Sequence, residues 1–112
     1  MEIREKSREF SKTEIYKMTK SPSMLTVNNI EDGTELEVAG YIIFGDTNSN
    51  NEEVEILSIM GTDGTVWCTQ SDTFRKNFMD IYSIFDGDLF TIVKLSGATK
   101  AGRPFVNCDL KA

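Results

Sequence analysis

The feature that most restricts the fold is a change of hydrophobic period at Asp32-Gly33. Beyond it, apolar and polar residues alternate in runs separated by glycine, Asx and proline turns, the pattern of strands rather than helices. Thr34–Phe44 forms the first run, with Leu36 and Val38 on one face and Glu35 and Glu37 on the other. Gly40 falls in its middle, where a bulge or sharp bend is the usual reason for glycine. A bend there leaves the facing of Tyr41 to Phe44 open. The polar loop from Gly45 to Asn51 leads to a second strand, Glu53–Met60, and Asp63-Gly64 marks a hairpin turn into a third, Thr65–Thr69. Leu89–Leu95 and Phe105–Leu110 complete a set of five, joined by the segment Ser96–Pro104.

One helix interrupts the series. Ser71 caps it, and Phe74, Phe78, Ile81 and Phe85 recur at helical spacing before Asp86-Gly87-Asp88 ends it. A shorter helix precedes all the strands. In Phe10-Ser11-Lys12-Thr13-Glu14-Ile15 the spacing of Ser11 and Glu14 is that of a capping box, with Phe10 and Ile15 placed as a hydrophobic staple. That helix stops before Pro22, and Ile15 and Met18 give it one apolar face. The order strand, strand, strand, helix, strand, strand is the layout of the OB fold. The sequence therefore predicts an all-β fold with minor α content. Residues 26–112 form a closed five-stranded OB-type barrel, with the Ser71–Phe85 helix closing one end. Residues 1–25 form an N-terminal arm carrying the short helix. A chain of 112 residues makes one domain and buries roughly two thirds of its unfolded surface.

Enzyme chemistry finds little to work with. The chain has no histidine, hence no imidazole base or ligand. Cys68 and Cys108 have no metal-ligand spacing and read as reduced thiols of a cytosolic protein. No glycine-rich phosphate loop opens a helix, and the carboxylates fall on loop tips and outer strand faces without converging. Catalytic residues, metal and cofactor are all expected to be none. No apolar run approaches the ~20 residues of a membrane helix, and the charged start Glu2-Ile3-Arg4-Glu5-Lys6 is unlike an export signal. A cytoplasmic protein is expected.

Binding residues are better represented. In Thr65-Val66-Trp67-Cys68-Thr69, Val66 and Cys68 make the apolar set, so Trp67 is expected to point outward as a base-stacking platform. Tyr41 shares that surface if the bend at Gly40 allows. Phe105 alternates against Val106, Cys108 and Leu110 and is expected to face outward as a second platform. Lys100 and Arg103 form the one basic cluster of the body, freed by Gly97 and Gly102 to reach phosphates, and Lys94 extends that edge. The net charge of −6 argues the other way: residues 1–20 carry +2 and the remainder −8. Such acidity weakens long-range attraction to phosphate while leaving a local grip possible.

Three segments carry a resemblance: Asp32-Gly33-Thr34-Glu35-Leu36-Glu37-Val38, Asp63–Trp67 running into Ser71-Asp72-Thr73-Phe74, and Ser96 through Gly102-Arg103-Pro104-Phe105. In these the chain resembles the small single-stranded-DNA-binding proteins of tailed phages with protein-primed replication, over about seven-tenths of its length. The N-terminal helix departs from that pattern. The resemblance implies sequence-independent coating of displaced single strands during replication in the host cytoplasm, with replication proteins as further partners. It also implies that Trp67, Tyr41 and Phe105 stack bases while Lys94, Lys100 and Arg103 hold phosphates. The competing reading is an acidic OB domain that binds protein, or imitates DNA, without binding nucleic acid. A core position for Trp67 would favour it. Oligomeric state stays open, since any strand edge can pair with a second chain.

Overall fold

Seven strands, not five, make up the sheet of the computed structural model, which describes residues 1–112. In chain order the elements are β1 (Glu2–Lys6), α1 (Lys12–Thr19), β2 (Leu25–Thr26) with a 3-10 turn at Val27–Asn29, β3 (Glu35–Thr47), β4 (Glu53–Gly61), β5 (Val66–Thr69), α2 (Asp72–Phe85), β6 (Thr91–Ala98) and β7 (Pro104–Leu110). The strands lie in the order β2-β5-β4-β3-β6-β7, and β1 pairs with the far end of β3. Every pair is antiparallel except β2 with β5. No helix is long and apolar enough to cross a membrane.

The bend anticipated at Gly40 is a β-bulge. Val38 sits opposite Gly61 and Gly40 opposite Met60, so Ala39 has no partner of its own. One extra residue reverses the alternation for the rest of the strand. Leu36 and Val38 before the bulge, and Tyr41 and Ile43 after it, all join the larger core, with Trp67 and the α2 residues Phe74, Phe78 and Ile81. Ile42 and Phe44 face the other way. They join a second core with Met60, Val66, Phe10 and Met18. The central sheet is thus buried on both faces. Helix α1 supplies the second cover, and its capping box is complete: Ser11 Oγ accepts from the Glu14 amide, and Glu14 Oε1 accepts from the Ser11 amide.

The expected closed barrel is replaced by a strongly curled, open half-barrel. No ladder joins β7 to β5 or β2. Two local causes keep this seam open. On one side β2 pairs along β5 (Leu25 with Trp67, Thr26 with Cys68) and takes the edge a closing strand would need. On the other, β7 spends its outer edge on side chains. Asn107 Oδ1 accepts from the Cys108 amide, Asp109 Oδ1 accepts from the Leu110 amide, and Asn77 Nδ2 donates to the Cys108 carbonyl. An edge satisfied in this way has little left to offer another strand. The N-terminal arm also differs from expectation: Glu2–Lys6 is a sheet strand, tied to β3 from Glu2 opposite Gly45 to Lys6 opposite Ile42.

Candidate nucleic-acid interface

Three of the six residues singled out from sequence lie inside the protein. Trp67 is only 1% exposed. It does point opposite to Val66, as alternation requires, but its side is the larger core, and Val66 is the residue under α1. The outward placement is therefore wrong, because both faces of β5 are covered. Tyr41 is 5% exposed, turned inward by the bulge. Its ring meets Phe78 and Tyr82 edge-on with centroids 5.7 and 4.9 Å away, and its hydroxyl donates to the Glu5 carboxylate of β1. Burial, then the bond to Glu5, drives its phenol far above the ordinary range. Lys94 is 4% exposed. Its Nζ donates to Asp32 Oδ1 at 2.8 Å, and Ser96 Oγ donates to Oδ2 of the same carboxylate. Those bonds, Lys94 first, hold Asp32 below the usual carboxylate range. Lys94 is a neutralised internal cation rather than part of an exposed basic edge.

Phe105, Lys100 and Arg103 remain at the surface, on the β6–β7 hairpin. Its tip is well fixed. Gly102 N–H donates to Thr99 O at 2.8 Å, Thr99 N–H to Arg103 O at 2.9 Å, and Arg103 N–H to Thr99 Oγ1 at 3.1 Å. Gly102 takes φ +81°, the left-handed conformation that this kind of turn reserves for glycine. Phe105 sits opposite Gly97, where a Cβ would come within 2.8 Å of the ring. The missing side chain lets the ring lie against β6, half-buried.

Beside that ring the seam opens as a cleft of about 520 Å³. Thr26 and Asn28, from β2 and the turn after it, line the cleft together with Gln70 and the helix cap Ser71. Pro104, Phe105 and Val106 of β7 complete the lining. Around Phe105 it adjoins a smaller hollow, about 230 Å³, that reaches Lys94 and Ser96. Sequence inspection missed Thr26, Asn28, Gln70 and Ser71, and nothing in their spacing signals them. Only the unclosed seam brings them to Phe105.

Charge pairing sets the hairpin apart. Ion pairs engage Arg4, Lys6, Arg8, Lys20, Arg75, Lys94 and Lys111. Lys100 and Arg103 are exposed and take part in none, like Lys12, Lys17 and Lys76, which lie on helices. Lys100 and Arg103 share their hairpin with Phe105, whose ring lines the seam cleft. The two thiols are not reactive in character. Burial raises Cys68 and pushes Cys108 up to about 12. No family model, curated protein or solved structure matches the chain.

Proposed function

We propose that this protein binds single-stranded DNA without sequence preference along the open seam, as an OB-type barrel whose closing ladder is replaced by a cleft. The observation that carries this reading is the conjunction on the β6–β7 hairpin: two cations outside every ion pair on a fixed turn, and on the same hairpin a half-buried phenylalanine that lines a cleft. Cations beside an aromatic suit a flexible polyanion whose bases each present a π-face. Phe105 takes the stacking role, and Lys100 and Arg103 hold phosphates. The resemblance of the Asp32–Leu110 segments to phage single-strand-binding proteins supports the same role, the coating of displaced strands during replication.

The burial of Trp67 and Tyr41 favours the competing reading, an acidic protein-binding domain, because it removes two of three stacking candidates. One experiment separates the two. Binding of labelled oligo-dT is titrated over a range of salt for the wild type and for Lys100→Ala/Arg103→Ala. Each phosphate contact on a single strand contributes about −0.7 to the log–log slope, so the double variant loses up to about 1.4. An unchanged slope returns the hairpin to a solvated turn, and no binding at all moves the protein to the protein-binding class.

A further inference from the structure

Phosphate contacts alone do not explain why a protein would prefer a single strand, since a duplex carries phosphates at higher density. The seam cleft offers an explanation. Its volume of about 520 Å³ falls within the range of ligand pockets, roughly 300–1,000 Å³. Its lining is unusual for an apolar ligand. Only Phe105 and Val106 are large and apolar there, and Asn28 and Gln70 bring carboxamides to the same lining. Both are exposed, and the local side-chain bonding, Ser71 to the Phe74 amide and to the Val106 carbonyl at 3.5 Å, uses neither. An aromatic ring and unbonded carboxamides lining one cleft suit a planar ligand with a hydrogen-bonding rim. We infer that the cleft is a slot for one unstacked nucleobase of the bound strand, an inference that rests on the single-strand binding proposed above. The base lies against Phe105 while Asn28 and Gln70 bond its edge. Carboxamides both donate and accept, so they match any base without choosing among them. Base pairing and stacking keep a duplex from offering such a base without an unpairing cost. The slot is thus the source of strand selectivity, and the hairpin cations are the source of affinity.

An oligomer carrying abasic residues in place of thymidines keeps every phosphate and removes every base. Wild-type protein should bind dT about five- to 150-fold more tightly than the abasic oligomer of equal length. Asn28→Ala/Gln70→Ala should lose at least about fivefold on dT, lose nothing on the abasic oligomer, and show a smaller preference for dT over duplex. Both residues are exposed, and far-ultraviolet circular dichroism should confirm an unchanged fold. If wild type binds abasic and dT oligomers equally while Lys100→Ala/Arg103→Ala still flattens the salt slope, strand binding stands and the slot is wrong. If no oligomer binds, both fall together.

Discussion

Trp67→Ala distinguishes the structural role of the indole from a binding role. Trp67 is 1% exposed, within a cluster that includes Leu57, Ile59, Phe74 and Phe78. An aromatic side chain of this kind buries about 150–250 Å². At about 25 cal/mol per Å² that corresponds to roughly 4–6 kcal/mol, an upper bound because the unfolded chain is itself partly collapsed. Large-to-small truncations of buried aromatics cost about 3–5 kcal/mol, so ~4 kcal/mol is the expected loss. Against a total stability of about 5–15 kcal/mol, that is a large fraction, and at roughly 4 °C or more per kcal/mol it lowers Tm by at least ~15 °C. Urea unfolding followed by circular dichroism gives the number, with an unchanged m-value showing that the two-state comparison holds. The contrasting variant is Phe105→Ala. Its half-buried ring should cost less than about 1.5 kcal/mol of stability while weakening oligo-dT binding roughly five- to 150-fold. Wild-type Trp67 emission should be blue-shifted and indifferent to oligo-dT. A loss below ~1 kcal/mol for Trp67→Ala, or strong quenching of the indole by DNA, would refute the internal placement.

Ser11→Ala removes a complete capping box and should destabilise the protein by about 1 kcal/mol, with amide exchange rising first in α1; unchanged exchange there would show that packing alone holds the helix. Gly40→Ala places a methyl group 2.8 Å from Phe10 Cζ and 2.9 Å from Ser7 Oγ, the hydroxyl that accepts from the Tyr41 amide. It should cost about 1–3 kcal/mol by overpacking, and a gain in stability would show that Phe10 yields freely. The Asp32, Asp46, Asp63 and Glu14 carboxyls are all held below the ordinary range, chiefly by bonds from Lys94, Lys20 and the Thr65 and Ser11 amides respectively. Depressed carboxylates stabilise the fold above the unfolded-state pKa of about 4, and this contribution is lost as pH falls through their lower folded values. The urea midpoint should therefore fall on acidification below about pH 4, less steeply in Asp32→Asn. A midpoint that rises there would contradict the sign.

Local chemistry was the legible part of this sequence. The Ser11–Glu14 box, the Phe74–Phe78–Ile81 stripe, the Asp63-Gly64 turn and the bulge beside Gly40 are each written within a few consecutive residues. What escaped depends on distant partners. Alternation correctly opposes Trp67 to Val66, but it cannot say that a helix some fifty residues earlier covers the Val66 side. Lys94 reads as an exposed cation until Asp32, 62 positions away, is found against it. Strand β1 hides because four of its five residues are charged and only Ile3 packs inward. The closed barrel was expected from element order alone, and order carries no information about β2 occupying the β5 edge. At the candidate interface, Phe105, Lys100 and Arg103 were visible as one hairpin, whereas Asn28 and Gln70 come to Phe105 only across the seam.

The bulge at Ala39 has a consequence for how the chain avoids misregister. Both faces of the central strands are apolar, so sliding β3 by one position would exchange Tyr41 and Ile43 for Ile42 and Phe44 and still bury hydrophobic residues on each side. Hydrophobicity, which normally penalises a one-residue slip, barely discriminates here. The discrimination comes from a few groups that tolerate only one frame. The Tyr41 hydroxyl has its carboxylate partner on β1, and Gly40 alone clears Phe10. Deleting Ala39 would thus tend to yield two competing packings rather than a simple loss of structure, visible as doubled methyl resonances from the isoleucines of β3.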